Sequence, residues 1–150
     1  MEKSEVESLI SAIRKEFFAF RNGMIADALR KGGLDRKYIF GLQLPQIKEI
    51  AVRCKREIND EEASALAQTL WNDKECREAR LLACHIMPPD LMTEDKAQEW
   101  ADEVATREEA DILSFRLIRY LPFADKMAER LDEAEEDLKK YAATAIQRFL

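Results

Sequence analysis

Residues 38–54 read YIFGLQLPQIKEIAVRC, a bend followed by the start of an amphipathic helix. Gly41 supplies the bend, and Pro45 stands where a first helical turn tolerates the missing proline N–H. Apolar side chains then recur every three or four residues, which places them on one helical face: Ile47, Ile50, Ala51 and Cys54. The stretch therefore predicts a linker and then a helix with one buried side.

Helical periodicity continues along almost the whole chain. Ser4 followed by Glu7 predicts a capping box, and Gly32-Gly33 predicts the end of a short second helix. Asn59 or Asp60 predicts the N-cap of another helix. Pro88-Pro89 and Pro122 predict the ends of two later helices, because proline clashes with the preceding helical turn. The later helices are expected near residues 74–87, 93–106, 110–121, 123–133 and 135–149.

Few residues suited to tight turns are present. All four glycines precede residue 42, and the chain has only four prolines. A β-sandwich or barrel needs many such turns, and no stretch reads as a strand. We therefore expect an all-α fold of about eight helices in a single domain, residues 1–150.

The helices also show signs of repetition. Ala79-Arg80-Leu81-Leu82-Ala83 and Phe115-Arg116-Leu117-Ile118-Arg119 match in character at an offset of 36 residues. Two-helix units at such a period are typical of helical-repeat solenoids, where each unit buries its face against the next.

Composition excludes several classes of protein. The chain is 47% hydrophobic and 36% charged, which is too apolar for a disordered segment. No apolar run approaches the roughly 20 residues of a membrane span. The opening MEKSEVESLI has charges where a signal peptide needs an apolar stretch. A cytoplasmic location is expected.

Cysteine usage also points to the cytoplasm. Cys54, Cys76 and Cys84 are an odd set without close paired spacing, which favours reduced thiols over a disulfide framework. With His85 as the only histidine, a zinc site would need ligands from separate segments, whereas structural zinc sites usually have close ligand pairs. We expect neither a metal nor another cofactor.

Charge divides the chain into two parts. Residues 1–58 contain 12 Lys and Arg against 8 Asp and Glu, whereas residues 59–150 contain 12 against 22. The total of −6 opposes nucleic-acid binding overall, but a local basic face can still hold phosphates. In the alternative interpretation, the basic residues are solvated charges scattered over several helices.

The segment 38–51, with its Gly41 and Pro45, resembles a stretch of the AlkD-like DNA alkylation repair family. Leu70-Trp71 and then Glu78-Ala79-Arg80 resemble that family's next repeat, and the similarity covers roughly residues 15–123. The resemblance implies a HEAT-like α-solenoid of antiparallel helix pairs whose concave, positive surface holds duplex DNA. It also implies excision of N3- and N7-alkylated purines.

The catalytic residues of the family do not carry over cleanly. Its active members place a Trp, and an Asp four residues later, on the helix that corresponds to about 107–121. The best match puts Ala110 at the Trp position and Ser114 at the Asp position. Assigning Asp111 as the catalytic carboxylate leaves Arg107 where the Trp belongs. Asp111 is still the candidate, since the chemistry needs a carboxylate beside developing positive charge; alternatively, it is a helix-start acid favoured by the helix dipole.

Candidate phosphate-binding cations follow from the helical repeat and from the resemblance. Arg80, Arg116 and Arg119 fall on helices that would line the inner surface, and the family's later active-site Arg falls near Lys139 or Lys140. The alternative is that the three arginines form ion pairs with neighbouring acids.

Two functions are therefore considered. The first is a DNA-binding helical-repeat protein that acts on alkylated bases, although the catalytic Trp and Asp positions are not retained. The second is a non-catalytic helical-repeat module that binds a protein partner or self-associates. Its expected docking surface is the apolar face of the C-terminal helix: Tyr141, Ala145, Ile146, Phe149 and Leu150.

Overall fold

A computed structural model describes residues 2–150, and over these residues the structure is helical without a named strand. The all-α prediction is confirmed, with nine α-helices over this range rather than about eight. They are α1 (Lys3–Ala19), α2 (Gly23–Lys31), α3 (Leu44–Arg56), α4 (Asp60–Asn72), α5 (Arg77–Ile86), α6 (Glu94–Glu103), α7 (Arg107–Arg116), α8 (Ala124–Asp132) and α9 (Asp137–Gln147). Two short 3₁₀ helices, Pro89–Leu91 and Ile118–Tyr120, precede α6 and α8.

The chain folds as two compact units, the first ending at Met87 and the second formed by Pro88–Leu150. The first contains α1 to α5, and the second contains α6 to α9. A single domain over residues 1–150 stays a prediction. In the part of the chain that the structure describes, no helix has the length and apolar character needed to cross a membrane.

In the first unit, α5 is the central helix. It packs against α3 and α4, and α1 packs against α4. The predicted cap before α4 is confirmed: the Asn59 side chain accepts from the Glu62 N–H, and the Glu62 carboxylate accepts from the Asn59 N–H. This reciprocal pair satisfies two backbone donors that the first turn leaves free.

Three further helix ends of the first unit can be compared with the sequence predictions. Helix α2 ends just before Gly32, and Pro45 lies in the first turn of α3, both as predicted. The prediction of an N-cap at Ser4 is wrong, because the N-cap lies two residues earlier, at Glu2, and α1 begins at Lys3. The backbone carbonyl of Glu2 accepts from the N–H groups of Glu5 and Val6 and so starts the helix ahead of Ser4.

In the second unit, α9 packs against α7 and α8. Helix α7 begins after Thr106, whose hydroxyl accepts from the Glu109 N–H, and it ends at Arg116. The expected helix at 110–121 is therefore corrected: it begins three residues earlier and ends before the 3₁₀ turn. Pro122 does not terminate α7, because the backbone already leaves the helical region at Leu117 (φ −131°, ψ −63°).

The repeat is shorter than the sequence suggested. Helices α5, α7 and α9 begin at Arg77, Arg107 and Asp137, thirty residues apart. The two similar pentads therefore do not occupy equivalent places, since 79–83 lies inside α5 whereas 115–119 spans the end of α7. Residues 73–76 and 133–136 link packed neighbours (α4 to α5, and α8 to α9), which is the αα-hairpin geometry of a helical repeat.

Candidate functional site

Glu78 anchors the linker that precedes α3. Its side chain is 0% exposed, and its two carboxylate oxygens accept hydrogen bonds from the N–H groups of Phe40 and Gly41, each 3.0 Å long. Arg77 balances the charge: its Nη1 lies 2.6 Å from the carboxylate and also donates to the Leu42 carbonyl. The contacts join the two segments that carry the family resemblance, so the motifs have a structural role in the first unit.

Gly41 occupies a position that only glycine fits. Its φ of +84° is in the left-handed region, and a Cβ there would lie 2.2 Å from the backbone oxygen of Asn22 and 2.9 Å from the amide nitrogen of Ala26. The linker therefore crosses the start of α2 at a distance that leaves no room for a side chain.

Arg80 lies inside the first unit. It is 1% exposed, its Nε donates to the Trp71 carbonyl over 2.9 Å, and its guanidinium lies 4.2 Å from the centre of the Trp71 ring. A guanidinium with so little exposed surface has no room for a phosphate. Arg80 therefore has no part in the function proposed below.

The cysteines are free thiols, as the sequence indicated. Cys76 is buried, and this burial raises the pKa of its thiol to about 11. His85 is hydrogen-bonded to the Leu81 carbonyl of its own helix. Over residues 2–150, no group of three or more His, Cys, Asp or Glu side chains is placed to hold a metal ion.

Asp111 is held by an aromatic residue from another helix of the second unit. The Tyr141 hydroxyl on α9 donates to the Asp111 carboxylate, 2.9 and 3.0 Å from its two oxygens. This hydrogen bond, followed by burial and the carboxylate charge, raises the pKa of the Tyr141 phenol. The guanidinium of Arg107 lies 4.9 Å from the centre of the Tyr141 ring. Asp111 is the fifth residue of α7 and so lies beyond the first turn, where the helix dipole favours an acid. The helix-start interpretation is therefore wrong. The Asp111 side chain is partly buried.

The positions that match the family's Trp and Asp lie in the interior. Ala110 and Ser114 are both buried, and the Ser114 hydroxyl donates to the Ala110 carbonyl over 2.7 Å within α7. Neither residue offers a polar group to a ligand. Asp111 is the acid of α7 that lies closest to these positions while retaining some exposed surface.

Arg116 and Arg119 lie against aromatic rings at the end of α7. The Arg119 guanidinium lies 4.2 Å from the centre of the Phe115 ring, 4.6 Å from that of Tyr120 and 5.8 Å from that of Phe149. Arg116 lies 5.0 Å from the Phe115 ring. Within residues 2–150, neither arginine has a carboxylate partner, and the buried Nε atom of each lacks a hydrogen-bond acceptor. The alternative that these two arginines pair with nearby acids is therefore wrong.

Lys139 and Lys140 lie at the opposite end of α9 from Phe149. The Lys139 ammonium group is 3.0 Å from the Glu136 carboxylate and 3.7 Å from that of Asp102, and these acids raise its pKa. Lys140 donates to the backbone carbonyl of Asp132. The structure therefore does not bring the two lysines together with Arg116 and Arg119.

The expected apolar docking face at the C-terminus is largely closed. Ala145 and Ile146 are buried within the second unit, and Tyr141 and Phe149 are partly buried against α7 residues. Leu150 is more than half exposed. The packing of α9 on α7 and α8 uses the surface that the sequence suggested for a partner.

Sequence reasoning missed the aromatic partners of the second unit. Tyr120 follows Arg119 directly, and Phe115 lies one helical turn before it, so the local part of this arrangement was visible in the sequence. The contribution of Phe149 was not, because it depends on how α9 packs against α7. The same applies to Tyr141 as the partner of Asp111.

The family model described as DNA alkylation repair enzyme matches residues 13–148, nearly the whole chain. The chain belongs to this family. The match confirms the family resemblance that the sequence predicts. No curated protein and no solved structure matches the chain.

Proposed function

We propose that the protein binds DNA through phosphate contacts made by Arg116 and Arg119, as a helical-repeat solenoid of the DNA alkylation repair family. The observation that carries the proposal is the absence of a carboxylate partner for either guanidinium within residues 2–150. Other cations of the second unit, such as Arg130 with Glu94, do have one. A guanidinium that packs against aromatic rings keeps N–H groups available for bidentate hydrogen bonding to a phosphate.

The surrounding acidity does not prevent such contacts. Residues 88–150 contain 9 Lys and Arg against 16 Asp and Glu, a net charge of −7. The densest acidic run, 132–137, reaches from the end of α8 to the first residue of α9, whereas Phe149 of the arginine site follows the end of α9. Eleven helical residues span about 15 Å, and charges in physiological salt are screened over roughly 8 Å.

A binding measurement with matched variants tests the proposal. We expect a labelled DNA duplex to bind at low salt and Arg116→Gln/Arg119→Gln to weaken binding at least about tenfold, since each lost charged hydrogen bond is worth on the order of 1.5–3 kcal/mol. The control, Lys126→Gln/Arg130→Gln, removes the same charge where both cations serve Glu94. Equal weakening by both variants, or no binding by the wild type, contradicts the proposal and favours a protein-interaction module.

Catalysis needs its own test. We propose that release of alkylated purines depends on Asp111, which is accessible on α7 and, over residues 2–150, has Tyr141 rather than a Lys or Arg as its partner. A carboxylate there can stabilise positive charge on a sugar during base loss. Release of N3- and N7-alkylated purines from treated DNA should be lost in Asp111→Asn while duplex binding persists. Undiminished release excludes Asp111 from the chemistry.

A further inference from the structure

The aromatic–arginine cluster of the second unit consists of Phe115, Arg116, Arg119, Tyr120 and Phe149. These residues come from three places: the end of α7, the 3₁₀ turn that follows and the segment after α9. The rings of Phe115 and Phe149 meet edge to face, with centroids 5.2 Å apart, and provide the base against which Arg119 lies. The arrangement is assembled by tertiary packing and is not a property of one helix.

Tyr120 is the exposed member of the cluster. Its side chain is 58% exposed, and the neighbouring Arg119 both lies 4.6 Å from its ring and donates to its hydroxyl. Arg119 therefore fixes the position of the ring without covering all of it. A large aromatic surface that is both fixed and open to solvent suits stacking by a planar ligand.

An exposed aromatic ring beside two guanidiniums that have no carboxylate partner within residues 2–150 suits a nucleotide. Aromatic side chains stack on the faces of unpaired bases, while cations beside them hold the phosphates. In a closed duplex both faces of each internal base are covered by neighbouring bases, so a ring can reach only an unpaired one. The two arginines alone suit any phosphate backbone, whereas Tyr120 adds a surface that only an unstacked base can use.

We propose that the aromatic–arginine cluster recognises an unpaired nucleotide, with the base stacked on Tyr120 and its flanking phosphates held by Arg116 and Arg119. This inference rests on the proposed DNA-binding function and narrows its ligand class to DNA with an unstacked or single-stranded base. It assigns Tyr120 a binding role that is separate from Asp111 and from any base release.

Three fluorescein-labelled probes test it by anisotropy: a closed duplex, the same duplex with one unpaired central nucleotide, and a single strand of equal length. We expect the bulged duplex to bind about tenfold more tightly than the closed duplex, which is the effect of roughly one stacked base. Tyr120→Leu should remove this preference, so the ratio of bulged-duplex to closed-duplex affinity is the readout; the closed-duplex affinity itself also reports on Arg119, which contacts Tyr120. Its exposed position means that the variant should fold, which circular dichroism can verify.

Tyr38→Leu is the matched control, because Tyr38 is also partly exposed and also has cations, Arg14 and Lys37, near its ring. It should leave all three affinities unchanged. Equal binding of the closed and bulged duplexes, or a preference that survives in Tyr120→Leu, overturns the inference while the DNA-binding proposal stands. If no probe binds at low salt, both proposals fail.

Discussion

The Gly41 N–H donates a 3.0 Å hydrogen bond to the buried carboxylate of Glu78, 37 residues later in the chain. The Gly41 segment resembles one part of the family and the Glu78 segment another, and the bond shows that the two meet in the first unit. Membership of the family is therefore visible in residues that build the fold. It does not by itself require that the catalytic residues be kept.

Glu78→Gln should destabilise the protein by about 3 kcal/mol or more, because it removes a buried negative charge that lies 2.6 Å from Arg77 and accepts two backbone hydrogen bonds. Urea unfolding at neutral pH measures this change. Glu75→Gln is the control, since Glu75 is 62% exposed and 3.9 Å from Lys37, and we expect a change below about 0.5 kcal/mol. Equal stability of the two variants would show that the buried carboxylate does not anchor the linker.

Gly41→Ala should cost more stability than Gly33→Ala. Both glycines have positive φ, of +84° and +106°, so both variants have a strain of about 1–2 kcal/mol. Only the Gly41 variant would also push a Cβ into the backbone of Asn22, and overpacking adds about 1–3 kcal/mol. Similar midpoints in urea would contradict the close approach of the linker to α2.

Asp111→Asn should lower the pKa of the Tyr141 phenol, because the hydrogen bond and the negative charge of Asp111 both raise it. The raised pKa of Tyr141 also affects stability, because the folded state holds the phenol proton more tightly than the unfolded state does. This stabilises the folded protein below the ordinary tyrosine pKa, near pH 10, and the contribution is lost as the pH rises further. NMR titration of tyrosine labelled at Cζ, assigned with Tyr141→Phe, measures the pKa. An unchanged value would mean that Tyr141 and Asp111 are not bonded in solution.

Cys76 should react with iodoacetamide far more slowly than Cys54 in the folded protein at pH 8. The thiolate is the reactive form, and burial raises the Cys76 pKa to about 11, whereas Cys54 is partly exposed. The Cys76 rate should keep rising with pH and level off only as the pH approaches that value. Peptide mass spectrometry after short pulses gives both rates, and urea should make them similar. Faster modification of Cys76 than of Cys54 would contradict the burial of the α5 start.

The fold was largely predictable from local signals. Scarce glycine, helical periodicity and the Asn59 cap all act within a few residues, so they indicated the all-α class and the start of α4 correctly. The start of α7 is also encoded locally, in the capping pair Thr106 and Glu109, whereas apolar periodicity alone predicts a start three residues later.

The candidate site was less predictable, because it depends on packing between helices. No local sequence pattern indicates that Arg80 is buried against the Trp71 ring or that the Tyr141 hydroxyl donates to Asp111. Counts of charged residues also do not distinguish a cation that is paired with acids from one that is not. Lys139 is paired with two acids, whereas Arg119 lies among aromatic rings. These distinctions arise only when α7 and α9 pack together.

The salt dependence of duplex affinity tests the central claim most directly. Each phosphate contact contributes about 0.9 to the slope of log affinity against log salt concentration. If Arg116 and Arg119 each hold a phosphate, the slope of Arg116→Gln/Arg119→Gln should be shallower than that of the wild type by about 1.8, whereas Lys126→Gln/Arg130→Gln should keep the wild-type slope. Parallel lines for the wild type and the Arg116/Arg119 variant would contradict the proposed DNA contact.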